Sequence, residues 1–99
     1  IGRVWHHNLV NIIGLSGGFQ GLWFDFEHTG LTISELEVAT AVARSHGLDT
    51  FCRIAPTDYA IVTRCLEAGA GGVMAAQIYT AAQAEEFVKW SKFAPRGCR

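Results

Sequence analysis

The sequence predicts an α/β fold of four consecutive strand-helix units, which amounts to half of a (β/α)₈ barrel. Short apolar runs of strand length alternate with stretches of helical period, two helices begin with capping-box patterns, and polar residues collect where the strands end. Strands that alternate with helices form a parallel sheet with right-handed crossovers. A closed barrel of this kind needs about 250 residues. The 99 residues therefore predict a single partial domain over 1–99.

The first two units are defined by apolar segments and by one strong helix start. The apolar segment 1–5 is predicted as a strand, and a short helix follows over 9–15. The second strand is the aromatic-rich run 21–28. Thr32 opens the second helix, because Glu35 three residues later completes a capping box.

The last two units repeat this pattern. Residues 50–54 form the third strand, and Thr57 or Asp58 can cap the helix that follows. The fourth strand runs from Gly72 to about residue 78, and Thr80 opens the last helix with another capping box. No linker or low-complexity tract interrupts this order.

The charge pattern excludes two classes of partner. Eight Lys and Arg residues face nine Asp and Glu residues, for a formal net charge of −1, and the basic residues are spread along the chain. This is not the footprint of a protein that binds nucleic acid or an anionic membrane. The apolar runs are far shorter than the ~20 residues that span a bilayer, and the first residues lack signal-peptide anatomy. We expect a soluble, cytoplasmic protein.

The three cysteines fit neither a disulfide framework nor a metal knuckle. Cys52, Cys65 and Cys98 are odd in number and widely spaced. We interpret them as reduced structural thiols.

The polar groups of the strand ends are predicted to converge, because parallel α/β folds place their sites at the C-terminal ends of the strands. These groups are His6, His7 and Asn8 after the first strand, Asp25, Glu27 and His28 after the second, Arg53 after the third, and Gln77 and Tyr79 after the fourth.

Two of these positions carry the candidate chemistry. Glu27 and His28 set an acid beside an imidazole, and a histidine suits proton transfer near neutral pH; the alternative is a solvated loop. Arg53 lies within an apolar strand, where an unpaired charge is costly to bury. It either meets a carboxylate of the protein or binds an anionic ligand.

Six segments, in their order and spacing, resemble the HpcH/HpaI aldolase family: IG, WFDFEHTG, FCRIAPTD, RCLEAGAGGV, TAAQAEEF and FAPRGCR. The resemblance covers essentially the whole chain. It implies a TIM barrel of the phosphoenolpyruvate/pyruvate type and the activity of a metal-dependent class II aldolase, close to 2-dehydro-3-deoxyglucarate aldolase. Such enzymes cleave 4-hydroxy-2-oxo acids to pyruvate and an aldehyde.

The resemblance also implies roles for three residues. His28 matches the catalytic base that acts on the substrate hydroxyl, and Arg53 matches the arginine that binds pyruvate and stabilises its enolate. Glu67 matches the acid that raises the basicity of the histidine, although the family more often has Asp there. The alternative for Glu67 is a solvated residue in the last turn of a helix.

The resemblance implies a divalent metal, Mg²⁺, Mn²⁺ or Co²⁺, in the complete enzyme. The family holds this ion with a Glu and an Asp from later strands, in a block outside residues 1–99. We therefore expect no metal ligands in this chain and no aldolase activity from residues 1–99 alone.

Two departures from the family leave alternatives open. Gln77 replaces part of a Val-Pro-Met-Val block, and it either tunes substrate contacts or only packs. His6 and His7 differ from the small polar residues usual there. One of them can supply a metal ligand, but a structural role is favoured, since strand neighbours point to opposite sides.

Three functional hypotheses follow. The first is the N-terminal half of an HpcH/HpaI-type aldolase. The second is a noncatalytic half-barrel that self-associates through its open sheet edges and binds a small carboxylate at most. The third is a citrate-lyase-like relative, against which the adjacent Glu27 and His28 argue. We expect a homo-oligomer.

Overall fold

The computed structural model describes residue 1 and residues 3–99, and it contains a parallel sheet of order β1-β2-β3. The elements, in chain order, are α1 (His7–Ser16), β1 (Gly21–Asp25), α2 (Ile33–Ser45), β2 (Asp49–Ile54), α3 (Tyr59–Glu67), β3 (Gly72–Ala75) and α4 (Ala81–Ser91). The predicted α/β class, with parallel strands in sequential order, is confirmed.

The predicted first strand over 1–5 is not formed by the described residues. Ile1 joins the sheet edge: its ammonium donates to the Trp23 carbonyl at 2.6 Å, and its carbonyl accepts from the Asp25 amide at 3.0 Å. Arg3 and Val4 then bend the chain, and no other described residue of this segment pairs with β1. The described sheet has three strands instead of the predicted four.

Two predicted strands are shorter than expected, for local reasons. The strand predicted over 21–28 ends at Asp25, whose carboxylate accepts from the Glu27 amide at 2.9 Å. Such a side-chain bond starts a turn. The strand predicted over 72–78 ends at Ala75, since Gln77 adopts a left-handed φ of 57°.

The predicted helix starts are confirmed at the caps. Thr32 and Thr80 both form complete capping boxes, and Asp58 caps α3 by accepting from the Ile61 amide. These caps satisfy amide groups that the helix itself leaves unpaired. They fix where each helix begins after the strand before it.

The core lies between the sheet and the helices. Strand residues that face the helices are buried, and α2 and α3 add fully buried side chains about one turn apart. These residues are Leu22, Phe24, Cys52 and Ile54 from the strands, Leu36, Ala39, Thr40 and Ala43 from α2, and Val62 and Cys65 from α3. Helix residues spaced by about one turn thus meet alternate strand residues.

The opposite face of the sheet carries the remaining strand residues. Trp23 stacks on Phe51, with ring centroids 6.1 Å apart. Trp23 and Met74 are each 43% exposed. Asp25 and Arg53 lie on this same face, because they follow Trp23 and Phe51 by two residues. The candidate site is therefore at the C-terminal end of an open sheet face.

No helix in the described part of the chain is long and apolar enough to cross a membrane. Cys52 and Cys65 are buried, Cys98 is exposed, and all three are free thiols.

Candidate functional site

A bidentate ion pair joins the ends of β1 and β2. Asp25 and Arg53 are register partners on adjacent strands. Arg53 donates from Nε to Asp25 Oδ1 at 3.1 Å and from Nη2 to Asp25 Oδ2 at 2.7 Å. The hydrogen bond from Arg53 lowers the pKa of Asp25 to about 2. Parallel N–H groups of this kind fix the plane of the guanidinium.

The guanidinium of Arg53 keeps donors for another partner. It lies 5.0 Å from the ring centroid of Trp23, a cation–π distance, and its side chain is 27% exposed. The hydrogen bond to Asp25 raises its pKa. The pair with Asp25 uses only Nε and Nη2. Arg53 therefore meets a carboxylate of the protein, and Nη1 takes no part in that pair.

Glu27 links Arg53 to His28. Glu27 Oε1 lies 2.7 Å from His28 Nε2 and 3.7 Å from Arg53 Nε. The Glu27 side chain is 8% exposed, whereas that of His28 is 61% exposed. The buried carboxylate thus holds an exposed imidazole by one nitrogen, and the two sequence-predicted residues His28 and Arg53 lie at the same edge of the sheet.

A second contact reaches Glu27 from the loop after β3. Gln77 Nε2 donates to Glu27 Oε2 at 3.3 Å, and the Tyr79 hydroxyl donates to Gln77 Oε1 at 3.4 Å. The strand ends of β1 and β2 and the loops after β1 and β3 therefore contribute to one cluster of polar side chains.

The structure does not bring Glu67 to His28. Glu67 is exposed in the last turn of α3, and the chain after it returns to the start of the sheet, where the Gly71 amide donates to the Thr50 carbonyl at 2.8 Å. This is the end of the strands opposite to His28. Within the chain, Glu27 instead of Glu67 pairs with the imidazole.

Sequence reasoning set Asp25 and Glu27 among the converging polar groups and Glu27 beside His28, but it did not identify the partner of either carboxylate. The signal for Asp25 is its position at a strand end, since parallel register sets it beside the arginine that ends the next strand. The signal for Glu27 is its place directly before His28, where the turn made by Asp25 directs it back over the sheet edge.

Two clefts meet at His28. One, of about 370 Å³, extends toward α4 and is lined by Glu27, Gln77, Glu86 and Trp90, among others. The other, of about 420 Å³, opens on the sheet face and is lined by Trp23, Asp25, Thr29 and Arg53, with Ile1 and Arg3. A ligand in the second cleft contacts both Arg53 and His28.

The described residues do not fit a divalent metal. They contain no group of three or more His, Cys, Asp or Glu side chains arranged to hold an ion. The two carboxylates at the sheet edge are already engaged, Asp25 by Arg53 and Glu27 by His28. Mg²⁺ binds one or two carboxylates and keeps several waters, and both carboxylates of this cluster are paired with a nitrogen group of the protein.

His6 and His7 have a local role. The His6 ring accepts from the Asn8 amide at 3.1 Å and so caps α1, and it lies tilted against the His7 ring, with centroids 4.2 Å apart. The expectation that the two rings point to opposite sides of a strand is wrong, because His6 caps α1 and His7 begins it.

Comparisons with known proteins find two aldolases of similar sequence. No protein-family model matches the chain. It is 31% identical over 99 residues to a 4-hydroxy-4-methyl-2-oxoglutarate aldolase from Chaetomium globosum, a match that covers 98% of this chain and 36% of that protein. A similar aldolase from Hapsidospora irregularis is 30% identical over 98 residues and is also covered to 36%.

A comparison of structures also finds an aldolase. The crystal structure of an HpcH/HpaI aldolase from Desulfitobacterium hafniense superposes with a TM-score of 0.91 and 30% identity, over 100% of this chain and 38% of that one. The chain thus spans little more than a third of the length of the relatives that it matches. The resemblance to the HpcH/HpaI aldolase family that the sequence motifs predict is therefore confirmed, for a chain that corresponds to part of such an aldolase barrel.

Proposed function

We propose that this chain supplies the proton-transfer and carboxylate-binding part of a carbon-carbon lyase site that cleaves 4-hydroxy-2-oxo acids to pyruvate and an aldehyde. The observation that carries the proposal is the shared contact of His28 and Arg53 with Glu27 Oε1. It sets a base and a cation at one sheet edge, beside a cleft of about 420 Å³ that both of them line.

His28 is the proposed general base. Because Nε2 is paired with Glu27 at 2.7 Å, Nδ1 is the nitrogen that is left to accept a proton. It removes the proton of the substrate's C4 hydroxyl, directly or through water. The C3–C4 bond then breaks, its electron pair passes into the enolate of pyruvate, and the C4 oxygen becomes the carbonyl of the aldehyde. Protonation of the enolate at C3 completes pyruvate.

Arg53 is the proposed binding group for pyruvate. Its guanidinium is held rigid by Asp25 and by the Trp23 ring. A fixed cation stabilises the enolate as charge develops, because it has no reorganisation to make during the reaction. The divalent ion that the family resemblance implies does not fit the side chains of the described residues.

The test is turnover by the protein that carries this chain in its natural length. We expect His28→Ala and Arg53→Ala each to reduce cleavage of a 4-hydroxy-2-oxo acid, measured as pyruvate released. His7→Ala and Arg64→Ala are matched controls, since both residues are exposed and lie outside the cluster. Equal activity in all four variants contradicts the proposal.

Glu67 supports the base only if a second copy is present. Its position at the far end of the strands rules out a contact with His28 of the same chain. We propose a homo-oligomer in which the exposed Glu67 of one copy lies near the Glu27–His28 pair of another, where its negative charge favours the protonated imidazole without occupying Nε2 or Nδ1. Mixing inactive His28→Ala and Glu67→Ala variants restores part of the activity in this arrangement. A monomer by light scattering, or mixed variants that stay inactive, contradicts it.

One observation favours a second candidate, a noncatalytic half-barrel that self-associates. Trp23 and Met74 are each 43% exposed on a sheet face that no described helix covers, and an apolar face of this kind favours association. A wild-type protein that associates but shows no pyruvate release supports this candidate over the lyase.

A further inference from the structure

The carboxylate of Glu27 is held at both oxygens. Oε1 contacts His28 Nε2 at 2.7 Å, and Oε2 accepts from Gln77 Nε2 at 3.3 Å. The other end of the Gln77 amide is also engaged, because its Oε1 accepts from the Tyr79 hydroxyl at 3.4 Å. These bonds form one line of contacts that runs from Tyr79 through Gln77 and Glu27 to His28.

The backbone of Gln77 is unusual in the part of the chain that the structure describes. It is the one non-glycine residue there with a positive φ, at 57°. Residues other than glycine, Asn and Asp rarely adopt a positive φ, and they do so where the surrounding structure holds the backbone in place. The left-handed turn directs the Gln77 amide from the loop after β3 across the sheet edge to Glu27, which follows β1.

The amide is suited to this contact by its charge. A carboxylate that accepts from a neutral donor keeps its full negative charge for a second partner. A lysine or arginine at this position would compete with the imidazolium of His28 for the same carboxylate. Gln77 orients Glu27 without that competition.

We propose that Gln77 is a positioning residue that acts through Glu27 to hold the His28 imidazole at the sheet edge. The proposal rests on the proposed function, in that His28 is the base. Gln77 itself does not line the cleft that contains Arg53. Its effect is therefore expected on the catalytic step and not on the binding of pyruvate.

The test compares two substitutions of the same kind in one cleft. Gln77→Glu keeps the shape of the side chain, removes the donor and repels Glu27. Gln83→Glu adds the same charge to the cleft of about 370 Å³. This variant keeps the capping contact at the start of α4. Gln83 Oε1 accepts there from the amides of Tyr79 and Thr80, and a glutamate oxygen accepts equally well.

We expect Gln77→Glu to lower kcat about fivefold, the size of effect that one lost hydrogen bond supports, with little change in KM. Gln83→Glu retains the wild-type kcat. In protein with ¹⁵N-labelled histidine, the Nε2 proton of His28 exchanges with solvent faster in Gln77→Glu and at the wild-type rate in Gln83→Glu. If Gln77 has only a structural role, the exchange rate does not differ between Gln77→Glu and Gln83→Glu.

A second variant covers the case in which Gln77→Glu does not fold. Gln77→Gly permits the same left-handed backbone and removes only the side chain, so it is expected to show the same loss of kcat and the same faster exchange. Wild-type kcat and exchange in Gln77→Gly overturn the proposal, as do equal effects of the two glutamate variants.

The variants test the role of His28 and the role of Gln77 separately. Full activity in His28→Ala removes the role of His28 as the base, whatever Gln77 does. Loss of activity in His28→Ala together with normal kcat and exchange in Gln77→Gly removes only the role of Gln77.

Discussion

Asp25 and Arg53 are register partners at the C-terminal ends of neighbouring strands, and their side chains meet in a bidentate pair with contacts of 3.1 and 2.7 Å. The pair sets the orientation of the cation before any ligand arrives. In a catalytic site this preorganisation is the source of most electrostatic stabilisation. The parallel register of β1 and β2, more than the arginine alone, thus creates the candidate site.

Arg53→Ala is expected to lower kcat/KM for aldol cleavage more than a hundredfold in the protein of natural length. Removing a preorganised contact to the developing enolate costs roughly 3 kcal/mol. Steady-state release of pyruvate measures the effect, with Arg64→Ala as the control on an exposed arginine of α3. Near-normal turnover in Arg53→Ala shows that Arg53 has only the structural role of pairing with Asp25.

The Asp25–Arg53 pair also predicts a loss of stability in acid. Arg53 lowers the pKa of Asp25 from 3.8 to about 2. A carboxyl whose pKa is lower in the folded than in the unfolded state stabilises the fold fully above its unfolded pKa. That contribution is lost as the pH falls through the folded value. We expect the free energy of unfolding to fall between pH 4 and pH 2, with about 1 to 2 kcal/mol of the fall due to Asp25.

Denaturant unfolding of Asp25→Asn measures this contribution. In Asp25→Asn, the free energy of unfolding falls less in acid, because the contribution of Asp25 is missing. In Asp49→Asn, at the exposed start of β2, the contribution of Asp25 to this fall is retained. Identical pH profiles of wild type and Asp25→Asn contradict the assignment.

The fold was predictable where the signal is local. The capping boxes at Thr32 and Thr80 are read from residues three positions apart, and the structure confirms both. The strand over 1–5 was predicted from apolar composition alone, and composition does not predict the bend at Arg3 and Val4. Strand pairing is a long-range property, which short apolar runs do not determine.

The site was predictable to a similar extent. His28 and Arg53 were found because parallel strands end at one edge, and the structure brings them to one carboxylate. The contact between Gln77 and Glu27 spans 50 residues. It depends on a left-handed φ that is typical of glycine or asparagine and not of glutamine. The motif that implied Glu67 carries no information about the distance between that residue and His28 in the fold.

The cysteines are expected to differ in reactivity in the native protein. Cys52 and Cys65 are fully buried, so neither thiol is accessible to a reagent. A hydrogen bond with Cys65, together with burial, also raises the pKa of Cys52, whereas the same hydrogen bond lowers the pKa of Cys65. Since the thiolate is the reactive form, only the exposed Cys98 reacts quickly with a thiol reagent. After unfolding in denaturant without reductant, all three thiols react with the reagent. Fewer than three free thiols in a fresh preparation, or a gel band that shifts on reduction, contradicts this prediction.

Residues 1–99 as an isolated polypeptide are expected to show no metal-dependent pyruvate aldolase activity. The carboxylates at the sheet edge are paired with Arg53 and His28, and the described side chains form no group that holds an ion. A bound divalent ion polarises the keto oxygen of pyruvate, a contribution of several kcal/mol that Arg53 does not replace alone. The direct test incubates the polypeptide with pyruvate, a panel of hydroxyaldehydes and Mg²⁺, Mn²⁺ or Co²⁺, and follows the loss of pyruvate. Turnover that disappears with EDTA and in His28→Ala contradicts the prediction, and it would mean that copies of this chain complete a metal site between them.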